Sequence, residues 1–100
     1  MDSFKDKVVI VTGAGGGLGR AHAMEFARRG AKVVVNDLGS SADGSGASDM
    51  ADQVVEDIRK AGGIAIANKA SVSDRVAAES IVADAVSEFG TVDILVNNAG

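Results

Sequence analysis

Five glycines lie within seven consecutive residues, from Gly13 to Gly19, between an apolar stretch and a helix-forming one. The apolar stretch, Val8 to Val11, consists of β-branched residues that favour a strand, and residues 20–27 favour a helix. A strand that turns directly into a helix places backbone N–H groups at the positive end of the helix dipole, where an anion is stabilised. Glycine suits this turn because a Cβ would hold the backbone away from a phosphate and would disfavour a positive φ. The sequence therefore predicts a strand, a phosphate-binding turn and a helix, in that order.

A second predicted strand, residues 32–36, leads into Asp37, eighteen residues after Gly19. An acidic side chain at the carboxyl end of a second strand is placed to accept hydrogen bonds from the ribose hydroxyls of a dinucleotide. Together with the glycine turn, Asp37 predicts a nucleotide cofactor site.

Four apolar runs of strand length alternate with segments of helical periodicity along the chain. The runs are 8–11, 33–35, 64–67 and 94–96. The apolar positions of the second and third helices follow i, i+3, i+4, i+7 spacing and are Ala51, Val54, Val55, Ile58 and Ala61, then Ala78, Ile81, Val82, Ala85 and Phe89. This alternation predicts an α/β fold, the first half of a Rossmann-like doubly wound parallel sheet with strand order 3-2-1-4. We expect residues 1–100 to form one partial dinucleotide-binding domain, truncated after the fourth strand.

Polar and glycine residues mark the expected ends of the helices. Ser48-Asp49 and Ser73-Asp74 are candidate N-caps of the second and third helices. Gly30, Gly62-Gly63 and Gly90 follow the three helices, where a left-handed C-cap glycine is common. These signals predict where the helices begin and end.

A Gly- and Ser-rich segment, residues 39–48, separates the second strand from the second helix. It is either a flexible surface connection or a flap near the adenosine end of the cofactor, since it leaves directly after Asp37 and Leu38.

Charge and cysteine content exclude several classes of function. The net charge is −4 and the pI about 4.7, with Lys and Arg scattered, so we expect neither a nucleic-acid surface nor an anionic-membrane surface. The sequence has no cysteine, which excludes disulfides and thiol catalysis, and it has no cluster with metal-ligand spacing. No apolar run approaches the ~18 residues of a membrane span, and we expect a cytoplasmic protein.

Three kinds of protein carry glycines after a first strand. A kinase-type or ATPase-type phosphate loop would end in Gly-Lys-Ser/Thr, whereas Gly19 is followed by Arg20-Ala21. The glycines at 13, 15 and 17 are compatible with an S-adenosylmethionine-dependent methyltransferase, although Val11 stands where that family usually has an acidic residue. The common Gly-x-Gly-x-x-Gly fingerprint fails because Leu18 occupies its third glycine position. A Thr-Gly-x-x-x-Gly-x-Gly pattern does fit, with its threonine at position 12.

That pattern resembles the glycine motif of the short-chain dehydrogenase/reductase family. A second motif of the family is matched after the fourth strand by Asn97-Asn98-Ala99-Gly100, with Asp93 shortly before that motif. The resemblance covers the whole chain but only the first half of a family domain. More narrowly, residues 34–39 and the Gly/Ser-rich segment are similar to the (3R)-hydroxyacyl-CoA dehydrogenase part of peroxisomal multifunctional enzymes and to related bacterial proteins. The resemblance implies an oxidoreductase that transfers hydride between a nicotinamide and a hydroxy or keto substrate.

The resemblance also implies which residues contact the cofactor. The pyrophosphate would lie against Gly13, Gly17, Leu18 and Gly19, the adenosine ribose against Asp37, and the adenine against Ser71 and Val72, while Asn98, Ala99 and Gly100 would flank the nicotinamide-side ribose and the adenosine wall. Thr12 would tie the first strand to the turn at Asn97-Asn98. Ser71 departs from the family, which usually has aspartate there.

Charge favours NAD over NADP. A ribose 2′-phosphate ~4 Å from Asp37 would cost on the order of 4 kcal/mol per charge pair at an effective dielectric near 20, and a third of that is about a tenfold preference. No Lys or Arg lies at 14–16 or directly after Asp37 to compensate. Arg20 is the only nearby cation, and we expect it to be solvated or to steady a phosphate. We therefore expect NAD as the cofactor.

In this family a tyrosine acts as general acid/base, helped by a lysine, a serine and an asparagine, yet the sequence contains no tyrosine. We therefore expect no catalytic residue here, an inactive 100-residue chain, and a parent enzyme that acts on a small molecule and forms homo-oligomers. There are two alternatives: a non-catalytic, truncated nucleotide-binding half-domain, and a methyltransferase fragment.

Several polar side chains are expected to have structural roles only. We expect His22 in a surface or packing role, Asp93 as a strand-end hydrogen bonder, and the acids at 56–57 and at 84 and 88 on solvated helix faces.

Overall fold

The structure, a computed structural model, describes residues 4–14, 17–37, 50–68 and 75–97. Within these ranges strands and helices alternate, as the apolar pattern predicts. The elements are β1 (Val8–Val11), α1 (Gly17–Arg28), β2 (Lys32–Asn36), α2 (Met50–Lys60), β3 (Ile64–Asn68), α3 (Arg75–Phe89) and β4 (Ile94–Val96).

The four strands form one parallel sheet in the order β3-β2-β1-β4, which confirms the predicted 3-2-1-4 order. Val9 of β1 lies opposite Val33 of β2 on one side and opposite Ile94 of β4 on the other. The chain therefore leaves β1 toward β2 first and returns to the opposite side of β1 for β4. This reversal creates the crevice at the carboxyl edge where ligands bind in open α/β sheets.

Each face of the sheet has its own aliphatic core, because successive strand residues point to opposite faces. Val9, Val11, Val33 and Val35 belong to the core on the side of α1 and α2, and this core also includes Val54 and Ile58 of α2. The other core contains Val8, Ile10 and Val34, together with Ile81 and Ala85 of α3. Covering both faces explains why the strands read as continuous apolar runs.

Glycines end the helices as predicted. Gly30, Gly62 and Gly90 follow α1, α2 and α3 with φ values of 96°, 92° and 88°, in the left-handed region that other residues avoid. Gly63 is needed for space instead, because a Cβ there would lie 2.7 Å from Cγ2 of Ile58. The two candidate N-caps, at 48–49 and 73–74, lie outside the described residues.

Two predicted core positions are wrong. Ala61 is exposed because α2 ends at Lys60, before the helical pattern does. Val82 is 46% exposed although its neighbour Ile81 is buried, since one residue further along turns the side chain by about 100° around the helix. Val86, one turn on, is similarly exposed, so these two valines form an apolar pair on the outer surface of α3.

None of the helices in the described part of the chain has both the length and the apolar character that crossing a membrane requires.

Candidate functional site

The carboxyl ends of β1, β2 and β4 lie side by side, because these strands are parallel neighbours in the sheet. Thr12 and Gly13 follow β1, Asp37 follows β2, and Asn97 follows β4. The fold therefore brings the glycine turn and the predicted ribose carboxylate to one edge, as the sequence predicts.

Thr12 joins β1 to β4 at the crevice. Its backbone N–H donates to the Val96 carbonyl at 3.0 Å, and its hydroxyl oxygen lies 3.3 Å both from that carbonyl and from Oδ1 of Asn97. The hydroxyl has a single proton, so it donates to one of these acceptors at a time. The contact with Asn97 agrees with the structural role that the family resemblance implies for Thr12.

The glycine turn is held by the end of β2. Gly13 has a φ of 61°, and the N–H of the next residue, Ala14, donates to the Asn36 carbonyl at 2.8 Å. Ala14 is fully buried, so this bond anchors the turn inside the fold. The turn thus depends on β2 as well as on its own glycines.

Helix α1 begins at Gly17, the second glycine of the Thr-Gly-x-x-x-Gly-x-Gly pattern. Gly17 has a φ of 56°, a backbone conformation that favours glycine. A Cβ built there would meet nothing within 4 Å, so the space beside Gly17 is open. Leu18 is 69% exposed, whereas Gly19 is buried against the domain. The first N–H groups of a helix have no partner inside it, and this arrangement gives a phosphate a route to them.

Asp37 continues directly from β2 and is half-buried. Its backbone N–H donates to the Asn68 carbonyl at the end of β3, at 3.0 Å. This bond extends the β2–β3 ladder by one residue and fixes the point from which the carboxylate projects. Asp37 therefore stands at the edge of the sheet on the same side as the glycine turn.

Three hydrogen-bonded side chains, two at the ends of β2 and β3 and one on α3, are not among the predicted site residues. Asn36 and Asn68 are 2% and 7% exposed, and Asp84 of α3 bonds to Asn68. Asp84 is exposed, as the solvated-face prediction has it, but its carboxylate also accepts a hydrogen bond from Asn68. The available sequence signal was an asparagine after each of two apolar runs, at positions that become register partners.

Arg20 is bound within the fold. Its Nη2 lies 2.7 Å from Oδ2 of Asp57, while Gln53 donates to the other carboxylate oxygen at 3.0 Å. Arg20, and then Gln53, lower the pKa of the Asp57 carboxyl below its usual range. The expectation that Asp57 is merely solvated is wrong, because its helix packs beside α1 and brings it to Arg20.

The structure also describes Asp93 and His22, whereas several predicted cofactor residues lie outside the described ranges. Asp93 accepts from the Val8 N–H at 2.9 Å, which confirms its strand-end role, and His22 is half-buried at the surface of α1. Predicted cofactor residues outside the described part of the chain are Ser71, Val72, Asn98, Ala99 and Gly100. Within the described ranges, no three His, Cys, Asp or Glu side chains are grouped to hold a metal ion.

Comparisons with known proteins agree with this geometry. A family model for short chain dehydrogenase matches residues 7–100. The chain is 64% identical over 99 residues to peroxisomal multifunctional enzyme A of Dictyostelium discoideum, and this match covers 98% of the chain and 22% of that protein. It is 60% identical over 99 residues to the peroxisomal hydratase-dehydrogenase-epimerase of Saccharomyces cerevisiae, covering 98% of the chain and 11% of that protein.

A solved structure shows the same likeness. A 7α-hydroxysteroid dehydrogenase complexed with NADH and 7-oxo glycochenodeoxycholic acid superposes with a TM-score of 0.86 at 40% identity, over 96% of this chain and 34% of that one. The chain thus spans between 11% and 34% of the length of these relatives. Its fold, its glycine pattern and the match over residues 7–100 lead to one conclusion: the chain belongs to the short-chain dehydrogenase family.

Proposed function

We propose that the protein is an NAD-dependent oxidoreductase that transfers hydride between the nicotinamide and a hydroxy or keto substrate, with 3-hydroxyacyl-CoA as the substrate class. The observation that carries the cofactor assignment is the shared edge of the glycine turn and Asp37. The substrate class rests on the similarity to the two peroxisomal multifunctional relatives.

The residues present suit a dinucleotide. Around Gly17 there is open space for a phosphate beside the first turn of α1, and Asp37 offers a carboxylate to ribose hydroxyls. When bound, NAD would supply the hydride acceptor, and this chain would bind and orient its pyrophosphate and adenosine ribose. The remaining predicted contacts, at 71–72 and 98–100, would complete the site.

The preference for NAD over NADP rests on charge. Asp37 repels a 2′-phosphate, and Arg20, the cation nearest to the glycine turn in sequence, is bonded to Asp57. A cation held by a carboxylate at 2.7 Å offers less compensation to a ligand phosphate than a free one. We therefore expect binding to NADH to be at least tenfold tighter than to NADPH.

We propose that the catalytic tyrosine, lysine and serine of this family belong to residues beyond these 100, since the sequence has no tyrosine. The chain alone would then bind part of the cofactor without turnover. The rival hypothesis, a non-catalytic nucleotide-binding half-domain, predicts dinucleotide binding without turnover by the full-length protein as well.

Calorimetric titration of the full-length protein with NADH, NADPH and S-adenosylmethionine tests the cofactor assignment. Tight NADH binding, weaker NADPH binding and no S-adenosylmethionine binding are expected. NAD reduction in the presence of (3R)-3-hydroxyacyl-CoA then tests the reaction, with a sugar and a hydroxysteroid as comparison substrates. Binding of NADH without any turnover would support the half-domain, and preferential turnover of the sugar or steroid would overturn the substrate class.

We also propose a homo-oligomeric enzyme located in the cytoplasm. The oligomer follows from family resemblance and the location from a cysteine-free chain, which suits a reducing compartment. Light scattering of the full-length protein and subcellular fractionation test these two proposals. A monomer or an organellar location would contradict them.

A further inference from the structure

A chain of side-chain hydrogen bonds crosses from β2 to β3 and on to α3. Nδ2 of Asn36 donates to Oδ1 of Asn68 at 2.9 Å, and Nδ2 of Asn68 donates to Oδ2 of Asp84 at 2.6 Å. Asn36 and Asn68 are register partners at the last rung of the β2–β3 ladder and are both buried. Buried amides are costly unless they are bonded, and the described bonds remove that cost here.

We call this chain of hydrogen bonds through Asn36, Asn68 and Asp84 the relay. The donor and acceptor properties of the three side chains determine which way each amide is oriented. An ionised Asp84 only accepts hydrogen bonds, so the amide nitrogen of Asn68 must face it. The amide oxygen of Asn68 then faces Asn36, which must present its own nitrogen. Asp84 thus determines the orientation of both amide groups.

The backbones of the same asparagines hold the predicted cofactor groups. The Asn36 carbonyl accepts from Ala14 in the glycine turn at 2.8 Å, and the Asn68 carbonyl accepts from the Asp37 N–H at 3.0 Å. The Asn68 carbonyl also lies 3.3 Å from Nδ2 of Asn36, so it receives two donors. One small polar cluster therefore contacts both the turn that would hold the pyrophosphate and the residue that would hold the ribose.

We propose that Asn68 is a positioning residue for the adenosine half of the dinucleotide site, acting through Asn36 and Asp37 and oriented by Asp84. This inference rests on the proposed dinucleotide binding. Asn68 sets where the backbone of Asp37 lies, and Asn36 transmits the same constraint to the glycine turn. The relay makes ribose and phosphate binding depend on α3, which follows β3 in the chain.

The test swaps the donor and the acceptor of the hydrogen bond between Asn68 and Asp84 in the full-length protein. Asn68→Asp places a carboxylate at 2.6 Å from that of Asp84, so the two repel each other and the relay breaks. We expect ADP-ribose affinity, measured by calorimetry well below the unfolding midpoint, to fall about tenfold. Asn68→Asp combined with Asp84→Asn restores one donor facing one acceptor, and affinity should return to within about twofold of wild type.

Two further variants keep the test decisive. Glu88→Asn, one turn further along α3 and exposed, has the same change in charge as Asp84→Asn and should leave ADP-ribose affinity unchanged. If Asn68→Asp does not fold, Asp84→Ala removes only the exposed end of the relay, and affinity should fall about threefold.

Three results would overturn the inference. They are unchanged affinity in folded Asn68→Asp, no recovery in the double variant, or, where Asn68→Asp is unfolded, unchanged affinity in Asp84→Ala. The proposed function would survive all three, provided that the wild-type protein binds NADH. Failure of the wild-type protein to bind NADH or ADP-ribose would overturn both.

Discussion

At the scale of single residues, we propose that the charge at the end of β2 governs which ribose the site accepts. Asp37 is half-buried, and its backbone N–H is bonded to the Asn68 carbonyl. Arg20 is engaged by Asp57 on α2. The proposed selectivity for NAD therefore rests on one negative charge, which a neutral isostere can remove.

Asp37→Asn should raise NADPH affinity relative to NADH affinity by about tenfold, because it removes the like-charge repulsion and keeps the shape of the side chain. Titration of the full-length variant with both nucleotides measures the ratio. Glu88→Gln, which removes an exposed charge elsewhere, is the matched control. An unchanged ratio in Asp37→Asn would show that Asp37 does not face the 2′ position.

Thr12→Val should lower the free energy of unfolding by about 1–2 kcal/mol, because it removes a largely buried hydroxyl that bonds to Val96 or Asn97. Valine has nearly the same shape, so packing changes little. Thr91→Val, at an exposed position, should change stability by less than about 0.5 kcal/mol. Equal effects of the two substitutions in urea unfolding would argue against a role for the Thr12 hydroxyl.

At the scale of elements, the last turns of α1 carry a compact charge cluster. Glu25 accepts from Nη2 of Arg28 at 2.6 Å and also from Nε of Arg29. The Arg28 guanidinium, and then that of Arg29, lower the pKa of the Glu25 carboxyl to about 2 from its usual 4.5. A carboxyl whose pKa is lowered by folding stabilises the fold above its unfolded pKa and loses that contribution as the pH falls.

The stabilisation by Glu25 should therefore be complete above about pH 4.5 and disappear as the pH falls toward about 2. The difference in melting temperature between wild type and Glu25→Gln measures it across that range. Because the cluster is solvent-exposed, the difference should be small and should shrink further in high salt. In an Arg28→Gln, Arg29→Gln background the pH dependence of the difference should vanish; its persistence there would refute the assignment.

Sequence periodicity accounts for the elements and their order more fully than for the contacts between them. Apolar runs and glycines predict the strands, the ends of the helices and the edge at which Gly13 and Asp37 lie. The Arg20–Asp57 pair and the Asn36–Asn68 pair were not predicted, because they depend on how helices cross the sheet and on strand register. Periodicity along one element carries no information about the side chain that faces it from another element.

At the scale of the whole molecule, β4 and α3 each present exposed apolar side chains. Leu95 of β4 is 60% exposed, and Val82 and Val86 of α3 are 46% and 47% exposed. In the described part of the chain, β4 pairs with β1 on one side only. Exposed apolar strand edges favour pairing between molecules.

The 100-residue chain expressed by itself should therefore self-associate at micromolar concentrations and show no dehydrogenase activity. Light scattering after size-exclusion chromatography measures its mass. Leu95→Lys should shift the chain toward the monomer, since a lysine on an edge strand opposes edge-to-edge pairing. Met50→Lys, which also replaces an exposed apolar side chain but lies on α2 and not on a strand edge, is the control. A monomeric wild-type chain with a sharp, reversible unfolding transition would contradict this prediction.

The two neighbours of β1 differ in the order in which a folding chain can acquire them. Val8 pairs with Lys32, 24 residues along the chain, whereas Thr12 and Asn97 meet across 85 residues. Longer loops cost more entropy to close, so we expect the β1–β2 pair to form before β4 docks. The crevice between β1 and β4 is therefore the last part of this four-stranded sheet to form, and a dinucleotide bound there would stabilise only molecules in which β4 has already docked.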